Sequence, residues 1–126
     1  MKWWTIPALI VVANLFGQTT MTATVSEICT RRELARAKSG QLTCVMFFAK
    51  WCPHCRAAAP KFAKLGDAFR VALRGVNVDR CYRISRSVKY LPTIRCYASG
   101  KLLGEVTGGN LNAVAAIIQK HQKSRN

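Results

Sequence analysis

Hydrophobic and polar positions change their spacing along the chain, and the changes predict strands and helices in turn. The segment Leu42–Ala49, LTCVMFFA, is apolar almost without interruption. An unbroken apolar run of this length is typical of a central strand buried on both faces. Shorter strand candidates are Thr24–Glu27, Gly75–Asp79, Leu91–Tyr97 and Leu102–Thr107. The last two are joined by the short turn Ala98–Lys101, so they predict an antiparallel hairpin.

Two helices are predicted between the first three strands. Thr30 is followed three residues later by Glu33, which is the spacing of a capping box, and Gly40 is a plausible end for this first helix. A second helix is predicted from Cys52 to about residue 69, with a kink at Pro60 inside it. Each of these helices is predicted to begin a few residues after a strand ends.

The rest of the chain completes an alternating pattern. Cys81–Val88 is weakly helical, and Asn110 is placed to cap a last amphipathic helix after the break at Gly108–Gly109. The apolar positions of that helix are Leu111, Val114, Ala115, Ile117 and Ile118. The order β-α-β-α-β-α-β-β-α predicts an α/β fold with one mixed sheet and helices on both faces.

The N-terminus resembles an export signal. Lys2 is followed by a charge-free apolar run that ends near Gly17. This run is shorter than the about 20 residues that a membrane span requires, and it fits the apolar region of a secretory signal. We expect cleavage after Gly17 or Ala23, so that residues 1–23 are a signal peptide and residues 24–126 form the domain. An uncleaved signal anchor, which would place the protein at a membrane, is the alternative.

Composition narrows the functional classes. The chain has 126 residues, of which 50% are hydrophobic, and a formal net charge of +15. A single folded domain is expected, and a disordered chain is excluded. The Lys and Arg residues are spread over every predicted element and no nucleic-acid motif accompanies them. The charge therefore indicates a solvated basic surface, with no specific nucleic-acid partner.

The segment FAKWCPHCRAAAP carries the candidate chemistry. Cys52 lies at the predicted start of a helix, where free N–H groups and the helix dipole favour an anion. Cys55 follows one turn later, while His54, Lys50 and Arg56 add positive or polarisable groups. These features should stabilise a thiolate at Cys52, which we expect to keep one exposed side. A stabilised thiolate makes the corresponding disulfide a better oxidant.

A zinc site and an inert local disulfide are the two alternatives to a redox pair at these cysteines. A zinc site needs a second pair of Cys or His ligands, and no second close pair is present in the sequence. The six cysteines also invite a disulfide framework, but only Cys52 and Cys55 are close together, and the periodic segments suffice for an ordinary core. We therefore predict a working redox pair without a metal or cofactor.

Several motifs then occur in the order found in one known family. They are Trp51–Cys55, Pro60, Asn77–Asp79, Leu91–Ile94 and Gly108–Gly109. With these motifs at nearly the family's spacing, the chain resembles the thioredoxin superfamily over nearly all of residues 24–123. The resemblance implies a thioredoxin fold and a redox-active disulfide between Cys52 and Cys55.

The resemblance also implies a set of site residues. Pro92 should be a cis-proline that faces the disulfide, and the backbone of Leu91 should offer hydrogen bonds to an extended substrate. The implied catalytic residues are Cys52, His54, Cys55 and Pro92, and the implied substrate groove contains Trp51, Pro53, Leu91 and Thr93. The dipeptide Pro53–His54 is similar to that of periplasmic dithiol oxidases, whereas the single-domain layout looks more like a thioredoxin or one isomerase domain.

Three positions depart from the family pattern. Met46 stands where relatives usually carry a buried acid that relays protons to the second cysteine, and Gly75 stands where a partnering Lys often lies. We expect Cys55 to lose its proton by water or another route. Tyr90 replaces a usual Gly, and the segment from Asp79 to Pro92 is about two residues shorter than in typical relatives, so the groove should be narrower.

No catalytic role is predicted for the remaining four cysteines. On this fold Cys44 and Cys96 fall in adjacent buried strands, where we expect two small core side chains and no disulfide. Cys81 is expected to be an ordinary half-buried thiol, and Cys29 carries no role that the sequence reveals.

These observations predict a monomeric thiol-disulfide oxidoreductase of the protein disulfide isomerase or dithiol oxidase type. Its partners would be cysteine-containing polypeptides and an unidentified redox partner. It would reside in the endoplasmic reticulum lumen, outside the cell, or in a bacterial periplasm. Cys52 would exchange with the substrate and Cys55 would resolve the mixed disulfide. The alternatives are a redox-weak, chaperone-like binding module that uses the same groove, and a thioredoxin-type reductase.

Overall fold

A computed structural model describes residues 25–125 of the chain. The predicted signal peptide, residues 1–23, lies outside this range. The strands are β1 Val25–Glu27, β2 Thr43–Phe48, β3 Ala72–Asn77, β4 Thr93–Ala98 and β5 Lys101–Thr107. The helices are α1 Arg31–Ser39, α2 Pro53–Ala68 and α3 Leu111–Ser124, with a 3₁₀ turn at Tyr82–Ile84.

The five strands form one mixed sheet in the order β1-β3-β2-β4-β5. Strand β3 is parallel to both β1 and β2, whereas β4 is antiparallel to β2 and to β5. The apolar run at β2 is therefore the central strand, as predicted. Ser99 and Gly100 form the turn of the β4–β5 hairpin, and both have positive φ angles.

The two faces of β2 pack against different helices. Cys44 and Met46 join a core that contains apolar side chains of α2 and α3. Val45 and Phe47 point the other way, into a core shared with α1 and the 3₁₀ turn. This alternation confirms the predicted sheet with helices on both faces, and it explains why no polar residue interrupts the strand.

Local sequence signals fix the ends of the helices. The Thr30 side chain accepts a hydrogen bond from the Glu33 N–H at 3.0 Å, and the Glu33 carboxylate accepts from the Thr30 N–H at 3.0 Å. The predicted capping box is therefore confirmed, and Gly40 follows the helix as expected. Asn110 likewise accepts from the Ala113 N–H at 3.1 Å and caps α3.

The segment after β3 differs from the prediction. A helix was predicted at Cys81–Val88, but only the 3₁₀ turn at Tyr82–Ile84 forms. The Asn77 side chain accepts hydrogen bonds from the N–H groups of Asp79 and Arg80, which holds the chain in a tight turn.

The prediction that Cys44, Cys81 and Cys96 are ordinary thiols was wrong. Cys44 and Cys96 form a disulfide, and so do Cys29 and Cys81. The β2–β4 register places Cys44 directly opposite Cys96, with their Cα atoms 4.0 Å apart. The second disulfide ties the residue that precedes the α1 cap to the turn after β3, where the Cα atoms are 5.1 Å apart.

No helix within residues 25–125 combines the length and the apolar character needed to cross a membrane.

Candidate active site

The chain leaves central strand β2 and enters α2 at the cysteine pair. Cys52 is the N-cap of α2, and its Sγ accepts a hydrogen bond from the Cys55 N–H at 3.2 Å. Its carbonyl oxygen accepts from the Arg56 N–H at 3.1 Å. The Cys52 sulfur thus occupies the place of the oxygen that usually caps a helix, among the free N–H groups of the first turn. Both Cys52 and Cys55 are free thiols.

Both cysteines are buried, which corrects the expectation that Cys52 is exposed. Cys52 retains 4% and Cys55 2% of its accessible surface. They form a small apolar cluster with Ala49, against which Val78 and Leu91 pack. Cys52 is covered because the loops after β3 and before β4 close over this end of the sheet.

The second cysteine is held in its protonated form. Burial raises the pKa of the Cys55 thiol to about 11, and the hydrogen bond to Cys52 acts in the same direction. The hydrogen bond with the Ala49 backbone and then the nearby Arg56 charge oppose this shift without cancelling it. A group must therefore remove the Cys55 proton before this sulfur can act as a nucleophile, because the thiolate is the reactive form.

The residues that flank the pair form an exposed rim. Trp51 is 66% exposed, and its Nε1–H donates to the Asp79 carboxylate at 2.8 Å. The Arg56 guanidinium donates to the Lys50 carbonyl oxygen at 2.9 Å. Pro53 and His54 are exposed at the first turn of α2. The Asn77–Asp79 motif signalled a site element, but the sequence did not reveal that Asp79 anchors Trp51.

The segment before β4 supplies the other wall. The Leu91–Pro92 peptide bond is cis, as predicted. Leu91 packs against the cysteine cluster, while Pro92 and Thr93 are buried. The Pro92 carbonyl accepts from the Gly108 N–H at 2.8 Å, and the Thr93 hydroxyl donates to the carbonyl oxygen of residue 90. Of the predicted groove residues, Leu91 lies against the cysteines and Thr93 lies in the core behind it.

A cavity of about 690 Å³ lies on the inner side of Cys55, between α2 and the sheet. Met46 and Gly75 line it, so the two positions that depart from the family pattern border the same space. They are direct neighbours in the β2–β3 register. The Met46 side chain ends in a thioether and Gly75 has no side chain. This space therefore lacks the acid and the amine that relatives usually carry at these two positions.

Within residues 25–125, no group of three or more His, Cys, Asp or Glu side chains is arranged to hold a metal ion.

Comparison with known proteins agrees with this geometry. The thioredoxin family model matches residues 24–120. Thioredoxin-2 of Pyricularia oryzae is 33% identical over 113 residues, covering 86% of this chain and 66% of that protein. Thioredoxin of Mus musculus is 32% identical over 93 residues, covering 71% of this chain and 89% of that protein. Protein disulfide-isomerase A5 of Mus musculus is 38% identical over 76 residues, which are 52% of this chain but only 14% of that longer protein.

Solved structures show the same architecture. The thioredoxin of Malassezia sympodialis superposes with a TM-score of 0.72 at 23% identity, covering 83% of this chain and 96% of that one. Mitochondrial thioredoxin 3 of Saccharomyces cerevisiae, in its oxidized form, gives a TM-score of 0.72 at 25% identity, covering 76% and 94%. The sheet order, the cysteine pair at the start of α2 and these matches together place the chain in the thioredoxin family, with a thioredoxin fold and the thiol-disulfide oxidoreductase activity typical of that family.

Proposed function

We propose that this protein exchanges disulfides with polypeptide substrates in an oxidising, extracytoplasmic compartment. The observation that carries the proposal is the contrast among its six cysteines. Two pairs are closed as disulfides away from the site, whereas Cys52 and Cys55 are free thiols at a helix N-terminus. Structural disulfides persist in secreted, lumenal or periplasmic proteins and are rare where glutathione keeps thiols reduced.

In the proposed mechanism, Cys52 is the nucleophile and Cys55 is the resolving residue. The Cys52 thiolate attacks one sulfur of a substrate disulfide, which forms a mixed disulfide and releases the other substrate sulfur as a thiol. Cys55 then loses its proton and attacks the Cys52 sulfur, so that the second substrate thiol leaves. The substrate is thereby reduced and the Cys52–Cys55 pair is oxidised. The reverse sequence inserts a disulfide into a reduced substrate.

Two features favour the direction in which the protein acts as an oxidant or isomerase. The Cys52 sulfur accepts the Cys55 N–H at the N-terminus of α2, where the helix dipole stabilises a thiolate. His54, Lys50 and Arg56 add positive or polarisable groups nearby, and α2 has no acidic residue in its first turn. Stabilising the reduced form in this way raises the reduction potential of the pair.

The substrate would lie across the exposed rim. Trp51 and Pro53 are exposed on one side of the cysteines, and Leu91 borders them on the other. An extended polypeptide in this position would pass over Cys52. The net charge of +15 favours acidic or neutral substrate segments over basic ones.

A thioredoxin-type reductase is the second candidate. The similarity to thioredoxins of Pyricularia oryzae and Mus musculus favours it. The same two thiols would serve either activity, and the potential of the Cys52–Cys55 couple decides between them. A redox-weak binding module is a third candidate, which Met46 in place of a buried acid favours.

The discriminating experiment compares two assays on the purified domain. Insulin reduction measures the reductase direction, and oxidative refolding of a reduced, denatured ribonuclease in a glutathione buffer measures the oxidase and isomerase direction. Cys52→Ser removes the nucleophile, and Glu105→Gln on β5, which leaves all six cysteines in place, is the control. We expect refolding to be accelerated, with loss of both activities in Cys52→Ser and retention in the control. Reductase activity without refolding activity would favour the reductase, and the absence of both would favour the binding module.

A further inference from the structure

The cavity behind Cys55 connects this thiol with a carboxylate on the edge of the sheet. Its lining includes Cys55 from α2, Met46 from β2, Gly75 from β3 and Glu27 from β1. Among the described residues that line this cavity, Glu27 is the only one with a carboxylate. The whole chain has only five acidic residues, so this placement is not a consequence of a generally acidic surface.

The strand register explains how Glu27 reaches the cavity. Glu27 is paired with Gly75, and Gly75 is paired with Met46, in two consecutive parallel registers. Paired residues on neighbouring strands point to the same face of the sheet, so these three form a row across it. The central member has no side chain. A Cβ at Gly75 would lie 3.7 Å from the Glu27 Cγ, which shows that Glu27 borders the space that this glycine leaves open.

The Glu27 carboxylate is available to accept a proton. Its ion pair with Arg80 joins Arg80 Nη1 to Glu27 Oε1 at 3.9 Å, which exceeds hydrogen-bond distance. Its side chain is 52% exposed, so it is connected to bulk water as well as to the cavity. Besides Glu27, the charged residues that line the cavity are Lys50, just before α2, and Arg56, in the first turn of α2.

We propose that Glu27 accepts, through water in this cavity, the proton that Cys55 gives up when it resolves the mixed disulfide. This inference rests on the proposed function. The Cys55 S–H bond breaks as the Cys55 sulfur bonds to Cys52, and the bond from Cys52 to the substrate sulfur breaks. Glu27 holds the proton until solvent or the departing substrate thiolate takes it. No external oxidant is needed, because the substrate sulfur of the mixed disulfide is reduced to a thiolate as the Cys55 sulfur is oxidised, while the Cys52 sulfur remains in a disulfide.

The environment of Cys55 makes such a base useful. Burial holds its thiol protonated at neutral pH, with a pKa raised to about 11. Met46 is apolar and Gly75 has no side chain, so neither of the neighbours between Cys55 and β1 can accept a proton. In this proposal Glu27 is the terminal acceptor of the proton, and it acts on Cys55 through water without touching the sulfur.

The two thiol steps can be separated with dithiobis-nitrobenzoate as the substrate. Cys52 of the reduced protein releases one thionitrobenzoate when it attacks, and Cys55 releases a second when it resolves the mixed disulfide. Stopped-flow absorbance measures both phases between pH 6 and 10. In Glu27→Gln we expect an unchanged amplitude of two and a second phase about tenfold slower at neutral pH, a modest effect for general base catalysis. The difference should fade at high pH, where hydroxide deprotonates Cys55 directly.

Two further variants control the experiment. Glu27→Asp retains a carboxylate and should recover part of the rate. Glu105→Gln makes the same chemical change on β5, where Glu105 pairs with Arg95 at 2.6 Å, and should leave the second phase unchanged. Circular dichroism checks that each variant is folded. A second phase that is unchanged or faster in Glu27→Gln, or no recovery in Glu27→Asp, would overturn the proposal. Release of only one thionitrobenzoate by the wild type would instead contradict the proposed function.

Discussion

The two structural disulfides give a quantitative prediction about stability. Cys29–Cys81 and Cys44–Cys96 each span 52 residues of sequence. The loss of chain entropy in the unfolded state for a loop of this length corresponds to about 4 kcal/mol at 25 °C. Removing either pair should therefore lower the free energy of unfolding of the oxidised protein by about 4 kcal/mol. Equal loop lengths predict nearly equal losses, although one disulfide lies in the core and the other near the surface.

The assay is urea unfolding of two double variants, Cys29→Ser/Cys81→Ser and Cys44→Ala/Cys96→Ala. Both are made in a Cys52→Ser/Cys55→Ser background, which prevents the active pair from exchanging with the other cysteines. Cys44 and Cys96 have no accessible surface, so dithiothreitol should reduce the Cys29–Cys81 pair first in the native protein. Mass spectrometry after alkylation detects that order. A loss below about 1 kcal/mol for either variant would refute the entropic reasoning, since the usual range is about 2 to 5 kcal/mol.

Three further predictions concern single residues. The pKa of Cys55 is raised from 9.0 in the unfolded chain to about 11, so its contribution to the stability of the reduced protein is complete below pH 9 and is lost as pH rises towards 11. Relative to Cys55→Ala, the reduced wild type should lose about 2 kcal/mol of unfolding free energy between pH 9 and pH 11 in urea unfolding, and parallel pH profiles would contradict this. His54→Pro should make the Cys52–Cys55 disulfide harder to reduce, by about 30 mV for each 1.4 kcal/mol of lost thiolate stabilisation, as measured in glutathione buffers; an unchanged or less negative potential would count against a role for His54. Thr30→Ala removes the acceptor of the Glu33 N–H and should cost about 1 kcal/mol in urea unfolding, whereas Ser39→Ala at the other end of α1 should cost much less; equal losses would contradict the capping role.

Local signals in the sequence predicted most of the fold. The unbroken apolar run at β2, the capping box at Thr30 and Glu33, and the hairpin turn each depend on residues close together in the chain. Such local features can be predicted without knowing which strands and helices pack against each other. The 3₁₀ turn at Tyr82–Ile84 was missed because the side-chain hydrogen bonds of Asn77 hold the preceding residues in a turn, and the helical preference that follows is weak.

The disulfides were missed because they depend on register. Cys44 and Cys96 were placed in adjacent strands, but only the alignment of β2 with β4 brings them opposite each other. Spacing along the chain carries no direct information about that alignment.

In the candidate site, too, some features were predicted and others depend on contacts between segments that are distant in sequence. The resemblance to the thioredoxin superfamily implied that Cys52, Cys55, Leu91 and a cis Pro92 occur together. The sequence did not predict that Cys52 is 4% exposed, because burial depends on loops that are distant in sequence. The position of Glu27 depends on two strand registers, and no local pattern indicates it.

The division of labour between the two active-site thiols is the central claim, and substrate trapping tests it most directly. The Cys55→Ala and Cys52→Ala variants are incubated with insulin, quenched with acid, alkylated and separated on non-reducing gels, and the linked peptides are identified by mass spectrometry. We expect Cys55→Ala to accumulate a mixed disulfide through Cys52, because no second thiol can resolve it, while Cys52→Ala accumulates almost none. Equal trapping by both variants, or trapping mainly through Cys55, would contradict this claim.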